Sequence, residues 1–118
     1  MADAESAPPT LIRAPEQLSW RDPETGYVRR VVSPPHPNLQ AELVQVELPP
    51  GATVSYDVSP IPGLEHHLWV LEGELTIELD GFVFAVQRGD CIRYILNGPS
   101  RFNSLRGTRY MLAMVKPK

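Results

Sequence analysis

The sequence holds a single cysteine, Cys91, among 118 residues. One thiol excludes a disulfide framework and a cysteine-based zinc knuckle. No apolar run approaches the ~20 residues that a membrane-spanning helix needs, and no signal-peptide pattern opens the chain. Long stretches at helical period are also missing, which sets aside an all-helical fold. Basic charge is not in excess: 11 Lys and Arg against 14 Asp and Glu leave a formal net charge of −3, which argues against non-specific nucleic-acid binding. These absences describe a soluble, cytoplasmic protein. Its length suits one domain, in which a chain of this size buries roughly two-thirds of the surface its unfolded form exposes.

Glycine and proline are plentiful, and their placement is informative. From Gly51 onward the glycines fall at 51, 63, 73, 81, 89, 98 and 107, a spacing of 8 to 12 residues. That is the punctuation of many short strands in a sandwich or barrel. Eleven of the 13 prolines precede Gly63, so the first half is expected to be loop-rich or edge-like. Residues 1–10 are small, polar and proline-bearing and read as a disordered leader, with one domain over 11–118. A short strand or one helical turn fits near Pro15–Leu18, and Tyr27–Val32 has strand composition. In the strand expected over Glu42–Leu48, Val44, Val46 and Leu48 share one face. Thr53–Val58 resumes after Pro49-Pro50-Gly51, and Pro60–Gly63 is a further turn. His66–Leu71 is read as a strand ended by Glu72-Gly73, followed by a separate alternating strand over Leu75–Leu79. Asp80-Gly81 joins that run to Phe82–Val86 as a hairpin, because the favoured two-residue turn needs positive φ. Cys91–Leu96, Phe102–Leu105 and Arg109–Val115 bring the expected number to about nine or ten strands.

Charge is segregated along the chain. Glu65 to Asp80 holds five acidic residues and no Lys or Arg, whereas six basic residues and no acidic ones follow Asp90. Two readings fit: complementarity between strands or subunits, or a basic patch for an anionic ligand or nucleic acid. The basic residues sit singly among strand positions, which favours the first.

Leu48-Pro-Pro-Gly51, then Glu65-His-His-Leu-Trp-Val-Leu-Glu-Gly73-Glu-Leu, then Gly89-Asp90, then Pro99, resembles the cupin superfamily. More narrowly, it is similar to the small cupin domain that follows a helix-turn-helix in many bacterial transcription regulators. Trp20-Arg-Asp-Pro-Glu-Thr-Gly-Tyr27 and Ser33-Pro34 resemble the start of that domain, so the likeness covers about residues 18–117. It implies an all-β fold, an antiparallel jelly-roll barrel, in agreement with the strand count. The chain opens with Met1 and a short polar leader, so no helix-turn-helix is expected here and any DNA contact falls to another chain.

Cupins usually hold a divalent metal with two histidines and a glutamate from a first motif and a histidine from a second. Counted from Gly73, the glutamate position is taken by His66. The segment where the histidine pair should stand, Tyr56-Asp57-Val58-Ser59-Pro60-Ile61, has no histidine, and the second-motif histidine position is Ser100. A stable transition-metal site normally needs three or more protein ligands, so no metal and no other cofactor is expected.

Strand alternation puts His66, Leu68 and Val70 on one face and His67, Trp69 and Leu71 on the other. His66 is open to two readings. It is a polar anchor or general base in a pocket, or a buried histidine satisfied by Ser100, Tyr94 or water. Cys91 reads as a small core residue. Tyr56, Tyr94, Phe84 and Phe102 are candidate pocket walls or plain packing. Arg93 and Arg101 suit a carboxylate if they reach the mouth, and pairing with Glu72, Glu74 or Glu78 if they do not.

The favoured reading is a metal-free cupin that binds an unidentified small molecule through His66, Ser100, Tyr94, Tyr56 and Asp57, as a homodimer covering an outer face that contains Trp69. The resemblance implies a sensor or accessory role. Two alternatives stand beside it. One is a small isomerase, cyclase or lyase using His66 with Tyr94 or Asp57 as acid and base. The other is a weak metal site of His66, Asp57 and water.

Overall fold

The Gly-punctuated, alternating pattern produces a curled antiparallel assembly. A computed structural model of the chain describes residues 7–59 and 61–118. Residues 1–6 of the expected leader and Pro60 of the expected Pro60–Gly63 turn lie outside the described residues, and residues 7–10 have no regular secondary structure. A 3₁₀ turn at Ala14–Glu16 comes first. The strands are β1 (Ser19–Arg21), β2 (Val28–Val31), β3 (Ala41–Leu48), β4 (Thr53–Tyr56), β5 (Leu64–Leu79), β6 (Phe82–Gln87), β7 (Cys91–Leu96), β8 (Ser100–Asn103) and β9 (Thr108–Val115). No helix among the described residues is long and apolar enough to cross a membrane.

β5 organises the fold. Its first half pairs with β7 on one side and β9 on the other, and its second half pairs with β6 and β8. The first group continues through β9 to β3, β2 and β1, and the second through β8 to β4, all antiparallel. One strand thus belongs to both walls of the barrel. Two strands were expected here, broken at Glu72-Gly73; the structure corrects this to one strand of 16 residues. The ladder to β9 shifts register between Val70 and Glu72, so the local irregularity bends the strand without ending it. Gly73 has φ of +79°, and a Cβ there would collide with the carbonyl oxygen of Gly107, so this position bends the strand and lets two backbones approach.

Cross-strand register aligns the inward residues in rows. Val31, Val44, Leu112, Leu68 and Ile92 form one row, and Arg29, Val46, Tyr110 and Val70 a second. Leu75, Ile77, Val86 and Phe102 cover the opposite wall and are buried. The alternation read in Val44, Val46 and Leu48, and in His66, Leu68 and Val70, is the alternation observed. The outward rows contain Gln45, Met111, Trp69 and Cys91, and Leu43, Ala113, His67 and Arg93. Cys91 is therefore exposed and not a core residue, because it stands opposite outward Trp69.

The segregated charges meet across strands. Glu72 pairs in register with Arg109 and forms an ion pair with it, and Glu78 stands opposite Arg101. Such exposed pairs contribute a few tenths of a kcal/mol to about 1 kcal/mol each.

Candidate functional site: a buried cavity around His66

A third inward row, Glu42, Met114, His66 and Tyr94, crosses the barrel at one end of the core. It borders a cavity of about 250 Å³. Its walls are mostly apolar, supplied by residues such as Val44, Val54, Leu64, Leu96, Phe102 and Leu112. Tyr27 and Tyr56 face each other near the exposed side, with their hydroxyls 3.5 Å apart, and Tyr56 packs edge-on against Phe102. A larger groove of about 420 Å³ runs past Gly26, Pro49, Gly73 and Arg106. None of the residues lining it carries a buried, unpartnered side-chain atom, so the chemistry points to the smaller cavity.

His66 is only 6% exposed. Its Nδ1 is hydrogen-bonded to the Tyr94 hydroxyl at 3.0 Å, with the rings packed edge to face. Burial pushes its pKa down to about 4, with the nearby charges of Arg29 and His67 acting in the same direction. The imidazole is therefore neutral at neutral pH. Burial likewise raises the pKa of Tyr94, which stays protonated. The other ring nitrogen, Nε2, is buried with no hydrogen-bond partner, and so is Oγ of Ser100, which is 4% exposed. Buried polar atoms normally find a partner, so two orphans lining one cavity, His66 from one wall and Ser100 from the other, need an explanation.

The structure brings His66, Ser100 and Tyr56 to the cavity, with Tyr94 behind His66 as its hydrogen-bond partner. It does not bring Asp57 there. Asp57 is exposed and lines an adjoining surface cleft with Glu78, Asp80 and Arg101, which Tyr56 and Ser100 also border, because β4 ends at Tyr56 and the chain turns outward. Neither Arg93 nor Arg101 reaches the cavity: Arg93 is on an outward row and Arg101 is in the Asp57 cleft. Phe102 is a wall residue, whereas Phe84 stays partly exposed on β6.

Several polar cavity residues escaped the sequence reading, among them Glu42, Tyr110 and Lys116, and above all Tyr27 and Arg29. The last two come from the proline-rich first half. The alternation Tyr27-Val28-Arg29-Arg30-Val31 was the available signal, since Arg29 shares a face with apolar Val31. Arg29 stands opposite inward Val46, and its guanidinium reaches the Met114 sulfur at 3.6 Å. Among the described residues it forms no ion pair. Arg30 points the other way and donates to the side-chain oxygen of Gln45 at 2.9 Å.

A cupin-type divalent metal does not fit this donor set. One imidazole faces the cavity, its Nδ1 is engaged by Tyr94, and Arg29 places a positive charge nearby. Among the described residues no three His, Cys, Asp or Glu side chains gather as ligands, and three is the usual minimum.

No family model matches the chain, and no curated protein matches it. Solved structures do. A Cupin_2 domain of an XRE family transcriptional regulator from Enterobacter cloacae is 21% identical, with a TM-score of 0.70, over 78% of this chain and 98% of that one. An RmlC-like cupin from Shewanella frigidimarina is 16% identical, with a TM-score of 0.73, over 94% of both chains. An HTH_3 family transcriptional regulator from Vibrio cholerae is 16% identical, with a TM-score of 0.73, over 81% of this chain and 55% of that one. The curled antiparallel sheet and these likenesses together establish the cupin fold, a jelly-roll barrel with His66 in its interior.

Proposed function

We propose that the chain is a small-molecule-binding cupin barrel over residues 11–118, acting without a metal in a cytoplasmic sensor or accessory role. The observation that carries this reading is the pair of buried, unpartnered atoms, His66 Nε2 and Ser100 Oγ, on the wall of a mostly apolar cavity. A bound molecule that engages both relieves a cost of about 1–3 kcal/mol per orphaned group. The likeness to regulator-linked cupin domains supports the sensor role, and in that role DNA contact is made elsewhere.

The His66–Tyr94 hydrogen bond favours a second reading, a small acid–base enzyme. The pKa directions weigh against it. A general base works best with a pKa near the operating pH, and His66 is pushed down to about 4 while Tyr94 is pushed up, so both groups move away from proton transfer at neutrality.

The test is thermal-shift screening of wild-type protein against a small-molecule library, beside Ser100→Leu, which fills part of the cavity. At least one compound is expected to raise the wild-type Tm by several degrees and the variant's by much less. Equal shifts in both proteins, or none in wild type, overturn cavity binding. Turnover of a bound compound that His66→Gln abolishes, in a folded variant, replaces this reading with the enzymatic one.

A further inference from the structure

The hydrogen-bonding polarity of the cavity identifies its ligand class, provided the barrel binds a small molecule as proposed above. We infer that the ligand is a small monocarboxylate, its carboxylate held by Arg29, His66 Nε2–H and Ser100 Oγ–H and its apolar body seated against the aliphatic and aromatic wall.

The tautomer of His66 follows from Tyr94. The Tyr94 hydroxyl is protonated, and His66 Nδ1 is its hydrogen-bond partner among the described residues. If Nδ1 carried the ring proton, Tyr94 would accept and its own half-buried O–H would have no acceptor among the described residues. Donation from Tyr94 to Nδ1 satisfies both groups and leaves the single ring proton on Nε2, which faces the cavity without an acceptor. Ser100 adds a second unpartnered hydroxyl donor. Arg29 adds an always-charged guanidinium, whose recorded partner on this side is the weakly accepting sulfur of Met114.

The free groups of His66, Ser100 and Arg29, which come from both walls of the cavity, can all donate, and a ligand oxygen with several lone pairs complements them. The charged residues bordering the cavity are Arg29, Glu42 and Lys116. Glu42 and Lys116 cancel in net charge, so one positive charge remains for one carboxylate. A phosphate or dicarboxylate would bring more negative charge than the cavity can neutralise. The volume, about 250 Å³, lies just below the usual ~300–1,000 Å³ of ligand pockets, and most of the lining surface is apolar, so the remainder of the ligand is small and mainly apolar. Neutral His66 suits this role, because it donates without requiring a second counter-charge.

The test pairs acids with uncharged counterparts of nearly the same shape: benzoate with benzamide, phenylacetate with phenylacetamide, and hexanoate with hexanamide. Titration calorimetry on wild-type protein is expected to show at least one acid binding about 10-fold or more tightly than its amide, the scale of a charge-assisted hydrogen bond. Arg29→Gln should bring that ratio close to 1 by weakening the acid far more than the amide. Ring-nitrogen NMR shifts of His66, read in wild type, should place the proton on Nε2; this measurement stands even if the variant fails to fold. Equal binding of acid and amide, a preference that survives in Arg29→Gln, or an unprotonated Nε2 overturns the carboxylate and leaves the cavity reading intact. Failure of every acid and amide to bind overturns the carboxylate, and the cavity reading falls with it only if the library screen also finds no compound that stabilises wild type.

Discussion

At the scale of single residues, His66 shows how burial converts a common titratable group into a fixed dipole. Its neighbours on β3, β9 and β7 are Glu42 along the row, Met114 and Tyr94, and its pKa is pushed down to about 4 by burial, then by Arg29 and His67. The unfolded chain titrates this histidine near 6.5. Below that value the unfolded state binds a proton that the folded state refuses, so the depressed pKa costs stability as pH falls. The loss begins near pH 6.5 and, with solvent screening of the partly accessible ring, grows to roughly 1–3 kcal/mol by pH 4. Urea denaturation at pH 7.5 and pH 5 is expected to show this loss in wild type and a markedly smaller one in His66→Gln. An equal loss in the two proteins would assign the acid sensitivity to groups other than His66. Alternation put His66 on one face with Leu68 and Val70, and the resemblance to cupins made that face the inward one. The orphaned nitrogen of His66 was not legible there, because whether a partner is present depends on Tyr94 and Ser100, which lie 28 and 34 positions further along the chain.

At the scale of elements, β5 is where local signals mislead. Glu72-Gly73 between two alternating runs reads as a stop, since glycine at positive φ normally marks a turn. Here the positive φ is used inside a continuous strand, with the Gly107 backbone so close that no Cβ fits. The second half of β5 is then held to the β8–β9 connection. Ser104, fully buried, donates to the carbonyl oxygen of Glu74 at 2.7 Å, and the Leu105 N–H donates to the Glu74 carboxylate at 2.8 Å. Gly73→Ala combines a left-handed backbone with a steric clash and is expected to cost at least about 2 kcal/mol, read as a lowered urea midpoint. A change within about 0.5 kcal/mol, the range of ordinary surface substitutions, would show that the two backbones can separate freely. The Asp80-Gly81 hairpin, by contrast, was readable at once: Asp80 and Gly81 both take positive φ, as the favoured two-residue turn demands.

At the scale of the whole molecule, the outward face of the larger sheet is more apolar than an antiparallel sheet facing water needs to be. Leu43, Trp69 and Ile95 are 43%, 51% and 52% exposed, and Met111 and Ala113 lie between the strands that carry them. A homodimer through this face is the expected arrangement. Light scattering should report twice the 13.2 kDa chain mass, and Trp69→Glu should return the protein to a monomer without lowering its Tm by unfolding the core. A wild-type monomer at micromolar concentration would remove the dimer from this account. The sequence by itself determined the strand content and which residues share a strand face, and its resemblance to cupins implied that His66 and Ser100 stand where ligands usually do. Those features depend on residue type and spacing along one strand. Only the tertiary structure decided that Arg29 and Tyr27 join the cavity, that Asp57 does not, and that β5 is one strand. Each of these depends on cross-strand register and on the direction in which a chain leaves its strand, and neither is encoded within a single segment.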